Sequence, residues 1–529
     1  MLLIMALAAG AALGPSLSGC GVQPGGDGIT GLFDRNHGAE VFSEDSNRQL
    51  ARFERAIKKN ASAEDADSEK LNGQLAHFRD AFLLVRRDYV HNIADAVLID
   101  AALKGVDDIQ AKDETKTTDP GKLVEAGLNS MLVSLDPHSS YMNQQELNEM
   151  KITNRGEFGG LGIEVTMQDG FVKVVAPIEN TPASRAGLKS GDLITHIDGG
   201  PVQGMTLLQA VRTMRGKPDT PINLTISRAD LAPFDVRIVR AVIKVQAVRW
   251  HLEGTIGYVR VTNFSEKVGP GIARAMGDIH KQLGSQLTGY VLDLRNNPGG
   301  LLQQSLSLSD AFLEKGTIVS VRGRRPGSER LFKAEAGDLA FGKPLVVLIN
   351  SGSASASEIV AGALQDQGRA IVMGQRSFGK GSVQTIIPLP REGALRLTTQ
   401  LYYSPSGRAI QARGIDPDIE IIPIPDPEAE KAAAKAAEDK AATKADNGTD
   451  EAASLIISHE ADLPGALDAV GDEIDHSAHD HTHTHASLPE ESCQPVGEKE
   501  DRQLGCALAL LRAGSTQEFL ASMGQSPAM

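Results

Sequence analysis

Scarcity defines this chain before any motif does. Among 529 residues there are three cysteines, Cys20, Cys493 and Cys506, and one tryptophan, with aromatics at 4%. A core with so few rings must be built from Val, Ile, Leu and Ala, and an apolar content of 41% is enough to build one. Past the amino terminus, no run reaches the roughly twenty apolar residues that a membrane-spanning helix needs. Cations are outnumbered, with 53 Lys and Arg against 68 Asp and Glu and a formal net charge of −15, which argues against a nucleic-acid partner. The imbalance is local. Residues 426–475 hold 14 acids and 4 bases, about two thirds of the net charge, so the acidity says little about the rest. Length alone predicts about three domains.

What is present centres on Pro344–Gln384, which opens with the apolar run PLVVLI. Such a run reads as a strand buried on both faces. Asn350, Ser351, Gly352 and Ser353 are turn formers, and a small-residue helix is predicted from about Ala354 to Leu364. A strand turning sharply into a helix puts the first helical residues at the sheet's carboxyl edge, with free backbone N–H groups facing a crevice. Ser355 and Glu358 spell a capping box, and taken alone that would be their whole meaning. Lys380 alters the reading, because it lies between Gly379 and Gly381 after a second apolar strand, 370–374. A lysine held over a buried sheet edge sheds water, drops its pKa and becomes a base, and Ser–Lys is one alternative to Ser–His–Asp. Gln384 is four residues on, within reach to orient the lysine. No cysteine lies near this stretch, which argues against a thiol nucleophile.

The S-A-S-A-S-E, G-K-G and following glutamine resemble the carboxyl-terminal processing proteases, the tail-specific serine proteases with a PDZ domain. The resemblance implies Ser355 as nucleophile, Lys380 as base and Gln384 as its companion. It also implies an oxyanion hole of backbone N–H groups from Ala356 and from Gly299 or Gly300, in the turn Asn296-Asn297-Pro298-Gly299-Gly300 after the strand at 289–295. Asn297 reads as a turn residue. No metal or organic cofactor is implied.

The fold expected is multidomain α+β: an amino-terminal helical region, a PDZ domain, and an α/β protease core with the serine at a strand–helix turn. Residues 1–20 read as a lipoprotein signal, 21–66 as a flexible tether, 67–144 as the helical region and 145–230 as the PDZ domain. The core follows at 231–425, an acidic, His-rich low-complexity tail at 426–490, and a C-terminal helix at 491–529. In the helical region Leu71, Leu75, Phe78, Phe82, Val85 and Tyr89 recur at helical spacing. It closes on Leu135-Asp136-Pro137-His138-Ser139, where His138 beside Asp136 reads as turn and cap more than as catalyst.

The PDZ reading rests on Gly160-Leu161-Gly162-Ile163 together with Ala186-Gly187-Leu188 and Gly191-Asp192. Successive backbone N–H groups there would hold a terminal carboxylate while the peptide adds as a strand. The partners expected are therefore protein or peptide substrates with apolar C-termini. Arg215 is the residue the resemblance implies for coupling PDZ to core. Leu17-Ser18-Gly19-Cys20 resembles a bacterial lipobox, although no Lys or Arg precedes it. It implies lipidation at Cys20, a membrane held through that lipid anchor, and a periplasmic, envelope-bound location. In that oxidising compartment Cys493 and Cys506 are free to form a disulfide. His476, His479, His481, His483 and His485 lack an enforced ligand geometry, so no metal site is assigned. The terminal helices offer a route to a homo-oligomer, and an activating adaptor is a further partner the sequence leaves open. The rival from another class is a non-catalytic PDZ adaptor binding C-terminal tails of envelope proteins. A Ser–His–Asp protease would need paired barrels, which the alternating strand and helix pattern opposes.

Overall fold

The structure is a computed structural model that describes residues 43–61, 68–112, 119–178, 180–205, 207–228, 231–244, 246–424, 459–468, 486–497 and 500–524. Cys20, the rest of the signal segment and the histidine run 476–485 lie outside the described residues. The chain divides into two compact units, Met1–Arg48 and Gln49–Met529. Of the first, the described residues form the opening turn of a helix, Glu44–Asn60. All that follows concerns the second unit.

A seven-stranded sheet forms the centre of the core. Strands Val248–Glu253 and Ile256–Val261 pair antiparallel; from there Ile256–Val261, Gly289–Asp293, Leu345–Ile349, Ile371–Gly374, Ile419–Ile422 and Ala486–Pro489 run parallel. Every residue of Leu345–Ile349 is buried. Alternation explains this. Leu345, Val347 and Ile349 face helices Val268–Leu283, Leu302–Asp310 and Ala356–Asp366, whereas Val346 and Leu348 meet Leu504, Leu508 and Leu511 of helix Arg502–Ala513. Helices on both faces require the continuous apolar run seen in the sequence.

A second sheet is built around the long strand Ala394–Tyr403, which pairs with Ser140–Met142, Thr317–Gly323 and Ser382–Pro388. Its Leu395, Leu397, Leu401 and Tyr403 cover the amino-terminal helices Glu69–Asp88, Asp95–Lys112 and Pro120–Val133. The PDZ sheet comprises Ile163–Gln168, Phe171–Pro177, Leu193–Ile197, Pro221–Ser227 and Phe234–Val239, closed over its core by helix Leu207–Met214.

Four boundaries differ from the sequence reading. The PDZ sheet runs to Val239, past the expected end at 230, because Pro221–Ser227 needs its antiparallel partner Phe234–Val239. The expected tether contributes Phe53 and Ile57 to the helical core, both buried. The expected low-complexity tail supplies a sheet strand, Ala486–Pro489, and a short 3-10 turn, Glu460–Asp462. The last segment holds two helices, Arg502–Ala513 and Thr516–Ser522, and the first seats on the core sheet. Cys493 and Cys506 are joined there by a disulfide, their Cα atoms 5.0 Å apart, within the buried layer beneath that helix.

Candidate active site

Ser355 sits at the turn between strand Leu345–Ile349 and helix Ala356–Asp366, with φ of 56°. A non-glycine residue held at positive φ is strained, and such strain is kept only where the surroundings enforce it. They do so from both sides. Ser353 Oγ donates to the Leu294 carbonyl (2.9 Å) and Ser357 Oγ to the Asn297 carbonyl (2.8 Å), so its serine neighbours tie the turn down. The Ser355 hydroxyl itself makes no cap hydrogen bond. Glu358 accepts from the Ser355 backbone N–H (2.6 Å), while the Glu358 N–H goes to the Ser355 carbonyl.

Glu358 does far more than begin a helix. It is wholly buried and also accepts from Ser377 Oγ (2.6 Å), the Gly379 N–H (2.6 Å) and the Lys380 N–H (2.9 Å). One carboxylate therefore anchors the turns that carry Ser355 and Lys380. Burial pushes its pKa up to about 7, against the pull of those four donors. The sequence reading saw Glu358 as a cap because a local pattern cannot reveal partners more than twenty residues away.

Lys380 is partly buried on a loop that passes so close to residues 410 and 411 that Gly381 has no room for a Cβ. Among the described residues its Nζ makes no hydrogen bond or ion pair. Burial lowers its pKa; Glu460 opposes that most, Arg396 lowers it further, and Asp136 and Glu358 raise it. Ser355 Oγ and Lys380 Nζ are not hydrogen-bonded to one another; catalytic hydrogen bonds are often long outside the reacting complex. Gln384 makes no hydrogen bond to Lys380: its amide donates to Ser382 Oγ (2.9 Å) and the Ser382 carbonyl (3.2 Å). The register of its strand shifts between Val383 and Gln384, and that irregularity turns the amide back on its own chain.

The double-glycine turn lies against the serine. A Cβ on Gly299 would sit 2.9 Å from Ser355 Cβ and 3.0 Å from the Ala356 nitrogen. The Gly299 N–H is taken by Asn297 Oδ1 (3.0 Å), whereas Gly300, exposed, and Ala356, first in its helix, have N–H groups without an acceptor among the described residues. Of the two glycines the sequence left open, Gly300 is the one with a donor to give.

In the PDZ domain Gly160, Leu161, Gly162 and Ile163 line a cavity of ≈ 70 Å³ with Val211, Met214 and Arg215. The Arg215 guanidinium stacks 4.4 Å from the centroid of the Phe158 ring at the cavity's rim. Two residues beside the lysine loop escaped the sequence reading, Gln411 and Glu460. Neither sits in a periodic or motif-like context, and Glu460 lies in a stretch whose composition argues for disorder. His138, read as a turn residue, keeps that role through Asp136 Oδ1, which accepts its N–H (2.8 Å), but its ring also meets Glu460.

Residues 255–421 match the description of peptidase family S41, and residues 159–237 that of a PDZ domain. The chain is 52% identical to a carboxy-terminal-processing protease of Bartonella bacilliformis over 357 residues, covering 67% of this chain and 76% of that one. It is 36% identical to the carboxy-terminal processing protease CtpA of Bacillus subtilis, covering 58% of this chain and 66% of that one. Among solved structures, the photosystem II D1 C-terminal processing protease is 26% identical, with 67% of this chain and 93% of that one covered at a TM-score of 0.42.

Proposed function

The chain belongs to the serine-type carboxy-terminal-processing peptidases of family S41, and from that premise we propose that Ser355 is its nucleophile and unprotonated Lys380 its base. Ser355 Oγ bonds to the scissile carbonyl carbon as its proton passes to Lys380 Nζ. The oxyanion so formed accepts from the N–H groups of Ala356 and Gly300. Collapse breaks the C–N bond, the lysine returns its proton to the departing amine, and an acyl-enzyme remains on Ser355. Water, giving a proton to the same lysine, then bonds to the acyl carbon; the ester C–O bond breaks, Lys380 returns the proton to Ser355 Oγ, and the acid leaves.

The observation that carries this reading is the shared Glu358 anchor, which receives the backbone N–H of both Ser355 and Lys380. Burial of the amine supports it, since a desolvated lysine is neutral at lower pH than a free one. The PDZ cavity serves a substrate's C-terminus: the strand Ile163–Gln168 offers an edge, and Leu161, Ile163 and Met214 an apolar pocket for the last side chain. A lipid on Cys20 would hold the enzyme at the periplasmic face of an envelope membrane; the apolar leader ending in Leu17-Ser18-Gly19-Cys20 is what supports that placement.

Ser355→Ala and Lys380→Ala test the chemistry on a peptide with an apolar C-terminus. Each loses cleavage by at least about a thousandfold while the circular dichroism of the chain is unchanged. Turnover retained by either variant removes the dyad.

A further inference from the structure

A piece of the chain that composition assigns to a solvated tail is packed beneath the lysine loop. In the segment 459–468, Glu460 is wholly buried. Its backbone N–H donates to the Phe378 carbonyl (2.8 Å), two residues before Lys380. Its carboxylate accepts from Gln411 Nε2 (3.1 Å) and pairs with His138 Nε2 at 2.8 and 2.9 Å. Gln411 completes the circuit, because its Oε1 accepts the Gly381 N–H (2.9 Å). The loop 378–381 is therefore held by Glu358 on Gly379 and Lys380, and by Glu460 and Gln411 on Phe378 and Gly381. A buried carboxylate is expensive unless it is paired, and pairing to residues on two other elements fixes where it must sit.

We propose that Glu460 is a positioning residue for the Lys380 base, docking the segment 459–468 against the lysine loop and placing its carboxylate within electrostatic reach of the amine. This rests on the reading of Lys380 as base. Desolvation makes the amine neutral at lower pH, and Glu460 is the strongest of the groups that resist this; Asp136 and Glu358 also resist, and Arg396 assists. His138 is the other titratable group on Glu460, its Nε2 lying 2.8 Å from the carboxylate. The buried carboxylate thus tunes the pH at which the base becomes available, through residues remote in sequence from the motif.

The test is the pH profile of kcat/KM for the full chain on a peptide with an apolar C-terminus. Glu460→Gln keeps the shape of the side chain and removes its charge, so the acid limb moves to lower pH than in the wild type. Glu460→Asp keeps the charge and leaves the limb where it was. Glu460→Ala undocks the segment and lowers kcat by about tenfold or more, with KM little changed. Loss of activity by one factor at every pH, with the limb unmoved in Glu460→Gln, overturns the proposal and leaves Glu460 a stabilising contact. Lys380→Ala is measured alongside. If it is inactive and the Glu460→Gln limb stays put, only this inference fails; if it is active, the base assignment fails first and takes this one with it.

Discussion

Replacing Glu358 by glutamine separates what its charge does from what its shape does. The carboxylate accepts four hydrogen bonds, from Ser355, Ser377, Gly379 and Lys380, in a site with no solvent. An amide has one acceptor oxygen, so two of those four donors lose their partner at about 1.5–3 kcal/mol each. Against this stands the burial of charge. A pKa raised from 4.5 to about 7 means the ionised group costs the fold about 3 kcal/mol above that range. At about pH 8 the two effects nearly offset, and Glu358→Gln destabilises by only ~0–3 kcal/mol. The sign with pH follows from linkage. Between 4.5 and about 7 the folded chain holds a proton that the unfolded chain has lost, so this group's contribution is full at low pH and disappears as pH rises through about 7. Thermal melts at about pH 8 and pH 5 should show the wild type gaining ~3 kcal/mol over the variant on acidification, a few degrees in Tm. Peptide cleavage at about pH 8 should fall at least tenfold, because the turns bearing Ser355 and Lys380 lose their common anchor. Equal pH slopes in the two melts, with cleavage retained, would refute the reasoning.

Two further outcomes follow from the other parts of the chain. Ile163→Asp puts a charge into the apolar PDZ cavity, so binding of a peptide with an apolar C-terminus to the Ser355→Ala background should weaken by at least about tenfold in a fluorescence titration; unchanged affinity would place the peptide elsewhere. Cys20→Ala should move the chain from the membrane pellet to the soluble envelope fraction, and persistence in the pellet would sink the lipid anchor.

Much of the core was legible because its signals are local. PLVVLI announced a strand buried on both faces, since two packed layers leave no solvent-facing position to fill with polar residues. The serine turn was legible because small and turn-forming residues are what a sharp strand-to-helix reversal tolerates. Gly379 and Gly381 flank Lys380 where the chain passes close to residues 410–414 and a Cβ would not fit. The errors arose where composition stood in for contact. The stretch from 426 to 490 is acidic and Ala-rich on average, yet Ala486–Pro489 closes the sheet edge beside Ile419–Ile422. Averages hide a four-residue strand. Gln384 was expected on the lysine, but a register shift in its strand sends the amide to Ser382, and no pattern in one strand encodes its pairing with another.

By itself the order of residues determined the chemistry available: a serine at a helix mouth, a lysine between glycines, a double-glycine turn and a groove for a peptide's end. Those follow from backbone sterics and hydrophobic alternation, which act over a few residues and are written where they act. Only the tertiary structure decided which carboxylates surround the amine. Glu358 and Glu460 lie on either side of Lys380 in sequence, one 22 residues before it and one 80 after, and converge on its loop because packing, not proximity along the chain, leaves each of them dry. Charge and desolvation act through space, so the surroundings of the Lys380 amine were settled only when the chain had folded.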